Sequence, residues 1–195
     1  MARISSWNDM TIVSPESQRN WWETNFSDDL INLVLSNREI KLKESIINED
    51  SGLTTRNSKI SWIKDNKVCQ KVFSEMKTKA SDFSWLHLDN IESLQYSEYG
   101  NNQEYGWHRD CNNIPYPDGR VRKISFSVFL NSDYEGGEFD LELYGPNQTP
   151  RYIELNKKKN VNCIMFHSDM WHRVRPVTSG VKKSIVGWML GPVIK

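Results

Sequence analysis

Apolar and polar side chains alternate from Ile124 onward, where Ile124, Phe126, Val128 and Leu130 are separated by Ser125, Ser127 and Phe129. A period of two sends successive side chains to opposite faces, so this segment predicts a half-buried strand. Phe139, Leu141 and Leu143 alternate with Asp140, Glu142 and Tyr144 in the same way. The apolar runs at 161–166 and 185–190 are bounded by Gly, Pro, Asn and Ser, and read as further strands. Strands punctuated by turn signals at short intervals predict an antiparallel sandwich or barrel rather than a parallel sheet.

Before about residue 84 the period is helical. Ser14-Pro15-Glu16 reads as a helix start, with serine as cap and proline at the first helical position. Ser27-Asp28-Asp29 opens a second helix carrying Leu30, Ile31, Val34 and Leu35 at helical spacing. A third follows Asp65, with Val68, Cys69, Val72, Phe73 and Met76 on one stripe. The polar segment 43–59 reads as a long surface loop, and Lys157-Lys158-Lys159 as a solvated turn. The expected organisation is a single domain over 1–195, mostly β: a helical part over about 1–83 and a β core over about 84–195.

Composition narrows the function. Lys plus Arg number 25 and Asp plus Glu number 25, so the balance lacks the basic surplus that nucleic acid or an anionic membrane calls for. Three cysteines, at 69, 111 and 163, cannot form a disulfide framework and suit a reducing compartment. No run of about 18 apolar residues is present, and the start has no apolar core of signal-peptide length. An intracellular, cytoplasmic protein with no nucleic-acid or membrane partner is expected.

The segment Tyr105-Gly106-Trp107-His108-Arg109-Asp110 is the richest in chemistry. On a strand His108 and Asp110 share a face while Arg109 and Cys111 face away. An imidazole and a carboxylate so placed supply two ligands of a 2-His-1-carboxylate iron site, and a third must come from His87, His167 or His172. His167-Ser168-Asp169 repeats the H-x-D pattern, but with His172 only three residues on it would need a tight turn around one metal. His167 and Asp169 therefore read as turn residues before the strand bearing His172, and His87 as a strand histidine. Trp107 and Trp171 each precede a candidate ligand by one residue, which puts them on the opposite face, behind the site.

Several motifs recur in a known order: Tyr99-Gly100, the 105–110 segment, Arg122-Lys123-Ile124-Ser125 and Leu130-Asn131. They continue with Tyr134-Glu135-Gly136-Gly137-Glu138-Phe139, Met165-Phe166, His172-Arg173-Val174-Arg175-Pro176, Lys182 and Trp188. From about residue 56 onward the chain resembles the prolyl 4-hydroxylase branch of the Fe(II)- and 2-oxoglutarate-dependent oxygenases. It is most similar to the PKHD-type hydroxylases of bacteria and phages. The resemblance implies a double-stranded β-helix, or jelly roll, with helices packed on one sheet. It also implies a bacterial or phage-infected cell.

By the same resemblance, His108, Asp110 and His172 bind Fe(II), leaving sites for 2-oxoglutarate and O2, with ascorbate as a supporting reductant. The basic residue ten positions after the distal histidine pairs with the remote carboxylate of 2-oxoglutarate. Counted from His172 that position is Lys182; counted from His167 it is Val177. Tyr99 matches a tyrosine that reaches this carboxylate, with Tyr96 and Tyr105 left open. Trp188 matches a substrate-side aromatic, and Arg120 and Arg122 straddle a substrate-contacting arginine. Gly136-Gly137 reads as a tight-turn device. The implied reaction is decarboxylation of 2-oxoglutarate coupled to hydroxylation of a prolyl residue in a peptide or protein, the segments 111–120 and 43–59 serving as substrate lids. A hydroxylase of a free amino acid or small metabolite, and a non-catalytic jelly-roll binding module, are the alternatives.

Overall fold

The computed structural model describes residues 21–48, 55–80, 86–111, 114–143, 151–155 and 161–193. The expected helix start at Ser14 and the lysine turn at 157–159 lie outside them.

Two helices form where capping and apolar spacing coincide. In α1 (Asp28–Ser36) the Leu30 N–H donates to Ser27 Oγ, and Asp28 and Asp29 stand in the first turn, where the helix dipole favours negative charge. Leu30 and Val34 are buried. In α2 (Asn66–Lys79) Asp65 Oδ1 accepts from the N–H groups of Lys67 and Val68 at 2.8 and 3.1 Å. Lys77 and Lys79 occupy its last turn, and Val68, Cys69, Val72 and Met76 form its buried stripe.

Where it is described, the segment 43–59 between these helices is not a loop. It forms the antiparallel strands β2 (Lys43–Asn48) and β3 (Thr55–Ile63). Exposure along β3 alternates, with Arg56 and Ser58 buried between the exposed Thr55, Asn57 and Lys59. The period of two is present, but its buried positions carry polar side chains, so hydrophobicity does not reveal it. The first part of the chain is therefore not purely helical, since it also contributes β1 (Trp21–Thr24).

The remaining strands follow in order: β4 (Asn90–Ile91), β5 (Leu94–Tyr99), β6 (Glu104–His108), β7 (Arg120–Phe129), β8 (Tyr134–Gly136) and β9 (Phe139–Leu143). Then come β10 (Arg151–Leu155), β11 (Cys163–His167), β12 (His172–Val174), β13 (Val177–Gly180) and β14 (Lys182–Pro192). Hydrogen bonding runs β1-β11-β7-β14-β5-β3-β6-β12-β9-β10, with β2 on β3, β4 on β14, and β8 paired to β13 in a separate ribbon. Every pairing is antiparallel. The curled sheet is a jelly roll, and β3 is its corner, pairing with β5 through residues 59–63 and with β6 through 56–57. His87 is not on a strand: it has φ 51° and lies between the buried Leu86 and Leu88, ahead of β4.

Alternation here divides two interiors rather than core from solvent. Ile124, Phe126 and Val128 of β7 join Ile185 and Met189 of β14 and the apolar stripes of both helices in one core. The opposite faces of the same strands are also enclosed: Ser125, Ser127 and Ser184 are buried. A second core, built on Phe139, Leu141, Ile164, Phe166, Val174 and Val177, closes the inside of the roll. The strands expected to be half-buried are thus buried on both faces. Gly187 marks a close-packed point of the first core, since a Cβ there would stand 2.6 Å from Phe126 Cε1 and 2.8 Å from Leu94 Cδ2. Gly187→Ala is expected to lower stability by about 1–3 kcal/mol through overpacking. Urea unfolding monitored by circular dichroism measures this, and an unchanged midpoint would contradict the packing.

Candidate metal centre and its cavity

Register brings the site together. His172 of β12 lies directly opposite His108 of β6, so residues 64 positions apart share one rung of the sheet. Asp110 stands just past the end of β6. Its N–H and that of Cys111 both donate to Ser168 O at 2.9 Å, which fixes the chain as it leaves the strand. Ser168 Oγ lies 2.9 Å from Ser125 Oγ on β7. The potential ligand atoms of His108, Asp110 and His172 all lie within 4.8 Å of one another.

The chemistry of these three suits a divalent metal. His108 Nδ1 faces Gly106 O at 2.9 Å and His172 Nδ1 faces Met170 O at 3.0 Å. A ring nitrogen beside a carbonyl carries a proton, which leaves the two Nε2 atoms as the candidate ligand atoms. These lie 3.7 and 3.5 Å from the Asp110 carboxylate oxygens, and buried Asp110 Oδ2 has no hydrogen-bond partner. Burial, with His172 alongside, pushes the His108 imidazolium down to about 3, which leaves the ring neutral. Burial works to raise the Asp110 carboxyl, but His172, His108, Ser125 and Arg122 outweigh it and its pKa lies below the ordinary value. Two imidazoles and one carboxylate are the donor set of the facial triad that suits Fe(II). Tyr105 lies flat on the His108 ring, centroids 3.5 Å apart, and Phe166 packs edge-on against His172.

All three border a cavity of ≈ 320 Å³. Lys182 enters it from β14 and is 2% exposed. Its ammonium donates to Gly137 O at 2.8 Å and to Tyr134 Oη at 3.3 Å, and lies over the Phe129 ring. Gly136 and Gly137 have φ of 68° and 63°, a conformation that glycine adopts without strain. The pair does more than turn the chain, because it brings a backbone carbonyl onto the lysine. Tyr99 is the cross-strand partner of Lys182 and lines the same cavity. Burial raises the Tyr99 phenol and pushes those of Tyr105 and Tyr134 up to about 12, so all three remain hydrogen-bond donors.

Arg122 and Trp188 form another wall of the cavity, the guanidinium 4.0 Å over the indole. Arg122 is held by Glu92 through two bonds of 2.6 Å and reaches Asp110 O at 3.4 Å. Tyr116 Oη donates to the same Glu92, tying the 114–119 turn to this wall.

Among the remaining candidates, the structure separates near neighbours. Arg120 points away from the cavity and pairs with Asp89 and Asp118 at the surface. Tyr96 turns to the other face of β5, where its hydroxyl donates to Glu98 and Arg38 covers its ring. His167 ends β11 outside the ligand trio, followed by a turn at Ser168-Asp169. Trp107 and Trp171 stand outside the cavity as expected, with Arg173 and Arg109 over their rings. Sequence reasoning did not assign roles to Arg56, Trp62, Glu92 or Tyr134. For Arg56 and Trp62 the only signal was the period-two pattern of β3, and Glu92 and Tyr134 become legible only through their partners.

Residues 94–190 match the family model of the 2OG-Fe(II) oxygenase superfamily. A PKHD-type hydroxylase of Synechococcus sp. (strain CC9902) is 38% identical over 108 residues, covering 54% of this chain and 45% of the relative. Another, of Crocosphaera subtropica, is 27% identical over 175 residues, covering 82% and 76%. The match to the first of these thus spans less than half the relative's length. Among solved structures, a Pseudomonas putida prolyl-4-hydroxylase superposes with TM-score 0.63 at 17% identity, covering 89% of this chain and 93% of that one. A viral collagen prolyl hydroxylase from Paramecium bursaria Chlorella virus-1 gives TM-score 0.61 at 21% identity, covering 90% and 98%. These two share the fold.

The trio predicts a specific pattern of metal affinity. Wild-type protein and His167→Ala are expected to bind one Mn(II) each in calorimetric titration, while His108→Ala, Asp110→Ala and His172→Ala lose at least about tenfold in affinity. Tight Mn(II) binding by His172→Ala, or its loss in His167→Ala, would contradict this ligand set.

Proposed function

We propose that this protein, whose residues 94–190 match the family model of the 2OG-Fe(II) oxygenase superfamily, uses 2-oxoglutarate and O2 as cosubstrates and is a hydroxylase acting on C4 of prolyl residues in a peptide or protein. The observation that carries this reading is the convergence of His108, Asp110, His172 and Lys182 on one cavity. One domain is proposed for the chain, since the strands at 21–24, 43–48 and 55–63 hydrogen-bond into the same sheet as those from residue 90 onward. The reading places it in the reducing interior of a cell, in keeping with free Cys69, Cys111 and Cys163. Among the described residues no helix is long and apolar enough to cross a membrane.

In this mechanism His108, Asp110 and His172 would hold Fe(II). Bound iron supplies the O2 chemistry that converts 2-oxoglutarate to succinate and CO2 while one oxygen atom enters the substrate C–H bond. The chain's own residues position and enclose. Lys182, already held by Gly137 and Tyr134, takes the remote carboxylate of 2-oxoglutarate, with the Tyr99 hydroxyl beside it. A buried ammonium favours an anionic ligand over a neutral one, so Lys182 suits a carboxylate. Phe129, Phe139 and Val174 line the cavity with apolar surface that excludes water. Tyr105 keeps the His108 ring in its plane. Arg122, braced by Glu92, and Trp188 receive the substrate, and Ser45 of β2 and the turn around Tyr116 border its approach. PKHD-type relatives and the prolyl-hydroxylase fold support the choice of prolyl C4.

With Fe(II), ascorbate and 2-oxoglutarate, the purified protein is expected to form succinate and add one oxygen atom to a proline-containing peptide, read by mass spectrometry. Lys182→Met should raise the 2-oxoglutarate requirement by at least about tenfold, as loss of a charge-assisted bond predicts. Absence of succinate under all these conditions would overturn the oxygenase reading.

A further inference from the structure

Arg56 lines the cavity from β3, opposite Tyr105 of β6, and is 8% exposed. Its Nε donates to Ser58 Oγ at 2.9 Å, and its guanidinium lies 4.7 Å from the Tyr105 ring centroid. Enclosed Nη2 has no hydrogen-bond partner, and no carboxylate among the described residues pairs with Arg56. A guanidinium on an aromatic face gains only about 0.5–2 kcal/mol. Leaving a buried ion without a counter-charge costs several kcal/mol, so the aromatic contact does not offset the burial.

The other charges of the cavity are accounted for. Glu92 neutralises Arg122. On the reading proposed above, Asp110, a divalent metal, dianionic 2-oxoglutarate and Lys182 sum to zero. Arg56 then leaves the loaded cavity with one positive charge in excess. It is also set apart from Lys182: β5 runs between β14 and β3, so Lys182 and Arg56 approach Tyr99 from different sides.

From this buried cation, which has no carboxylate partner among the described residues, we infer that Arg56 is a second carboxylate-binding residue of the cavity. A planar guanidinium matches a carboxylate better than a rounder anion. The charge balance favours a carboxylate carried by the substrate, such as a chain-terminal or free amino-acid carboxylate next to the hydroxylated ring. The cosubstrate's own second carboxylate is the other source of the same chemistry.

Calorimetry on Mn(II)-loaded protein, which binds without turnover, tests this. The probes are 2-oxoglutarate and then, in its presence, N-acetylproline and its uncharged amide. Arg56→Gln is expected to weaken N-acetylproline by at least about tenfold and leave the amide unchanged. Arg56→Lys, which keeps the charge and loses the fork, should fall between, and it stands in if the glutamine variant does not fold. A loss confined to 2-oxoglutarate supports the carboxylate site and assigns it to the cosubstrate. Unchanged affinity of the Arg56 variants for every probe, or failure of the wild type to bind either carboxylate, overturns the inference. A lowered melting temperature with unchanged affinities makes Arg56 a structural cation and overturns it too. Lys182→Met is the separate control: if it keeps wild-type affinity for 2-oxoglutarate, the cosubstrate reading fails, while the response of N-acetylproline to Arg56 is still decided.

Discussion

The pairing of His172 with His108 across β12 and β6 is the constraint on which the candidate site depends. In a sheet a slip of one residue sends a side chain to the other face, so only this register aims both imidazoles inward. Phe139 and Leu141 on β9 flank the same rung and lock it with apolar contacts to the inner core. The double hydrogen bond to Ser168 O then sets where Asp110 falls once β6 has ended. The fold thus positions two candidate ligands by sheet register and the third by a tethered turn.

Strands buried on both sides give this arrangement its rigidity. One face of β7, β14 and β5 packs on the helices, and the other face lines or adjoins the cavity. The small hydroxyl side chains Ser58, Ser97, Ser125 and Ser184 on that inner side leave room for ligands while satisfying polar neighbours. The cavity is therefore a gap between two close-packed layers, not a groove on a surface. Its electrostatics follow from placement: Lys182 is held by a carbonyl and a phenol, Arg122 by a carboxylate, and Arg56 by a hydroxyl and an aromatic face. Three cations lining one cavity have three different kinds of partner.

Much of the fold was legible because local signals agreed. Ser27 and Asp65 capped helices whose stripes were apolar, and the alternation around Phe126 and Leu141 marked strands. The segment 43–59 escaped because β3 buries Arg56 and Ser58, so its strand period is written in polar residues that resemble a loop. His87 escaped for the opposite reason: a sequence rich in leucine looked like a strand, while the backbone takes a left-handed turn there.

By itself the sequence determined the helices, most of the strands and the residue types able to hold iron, because periodicity and ligand chemistry are local properties. It also narrowed the histidines to His108 and His172 through the order of motifs. Only the tertiary structure placed Arg122 but not Arg120, and Tyr99 and Tyr105 but not Tyr96, at the cavity: the pleat sends Tyr96 and Tyr99 to opposite faces of β5, while Arg120, on the same strand face as Arg122, starts β7 and is drawn to Asp89 and Asp118. It alone brought Glu92 to Arg122, Tyr134 to Lys182 and Arg56 to the cavity. Those pairings depend on sheet register and strand order, which link residues tens of positions apart and leave no mark within any single segment.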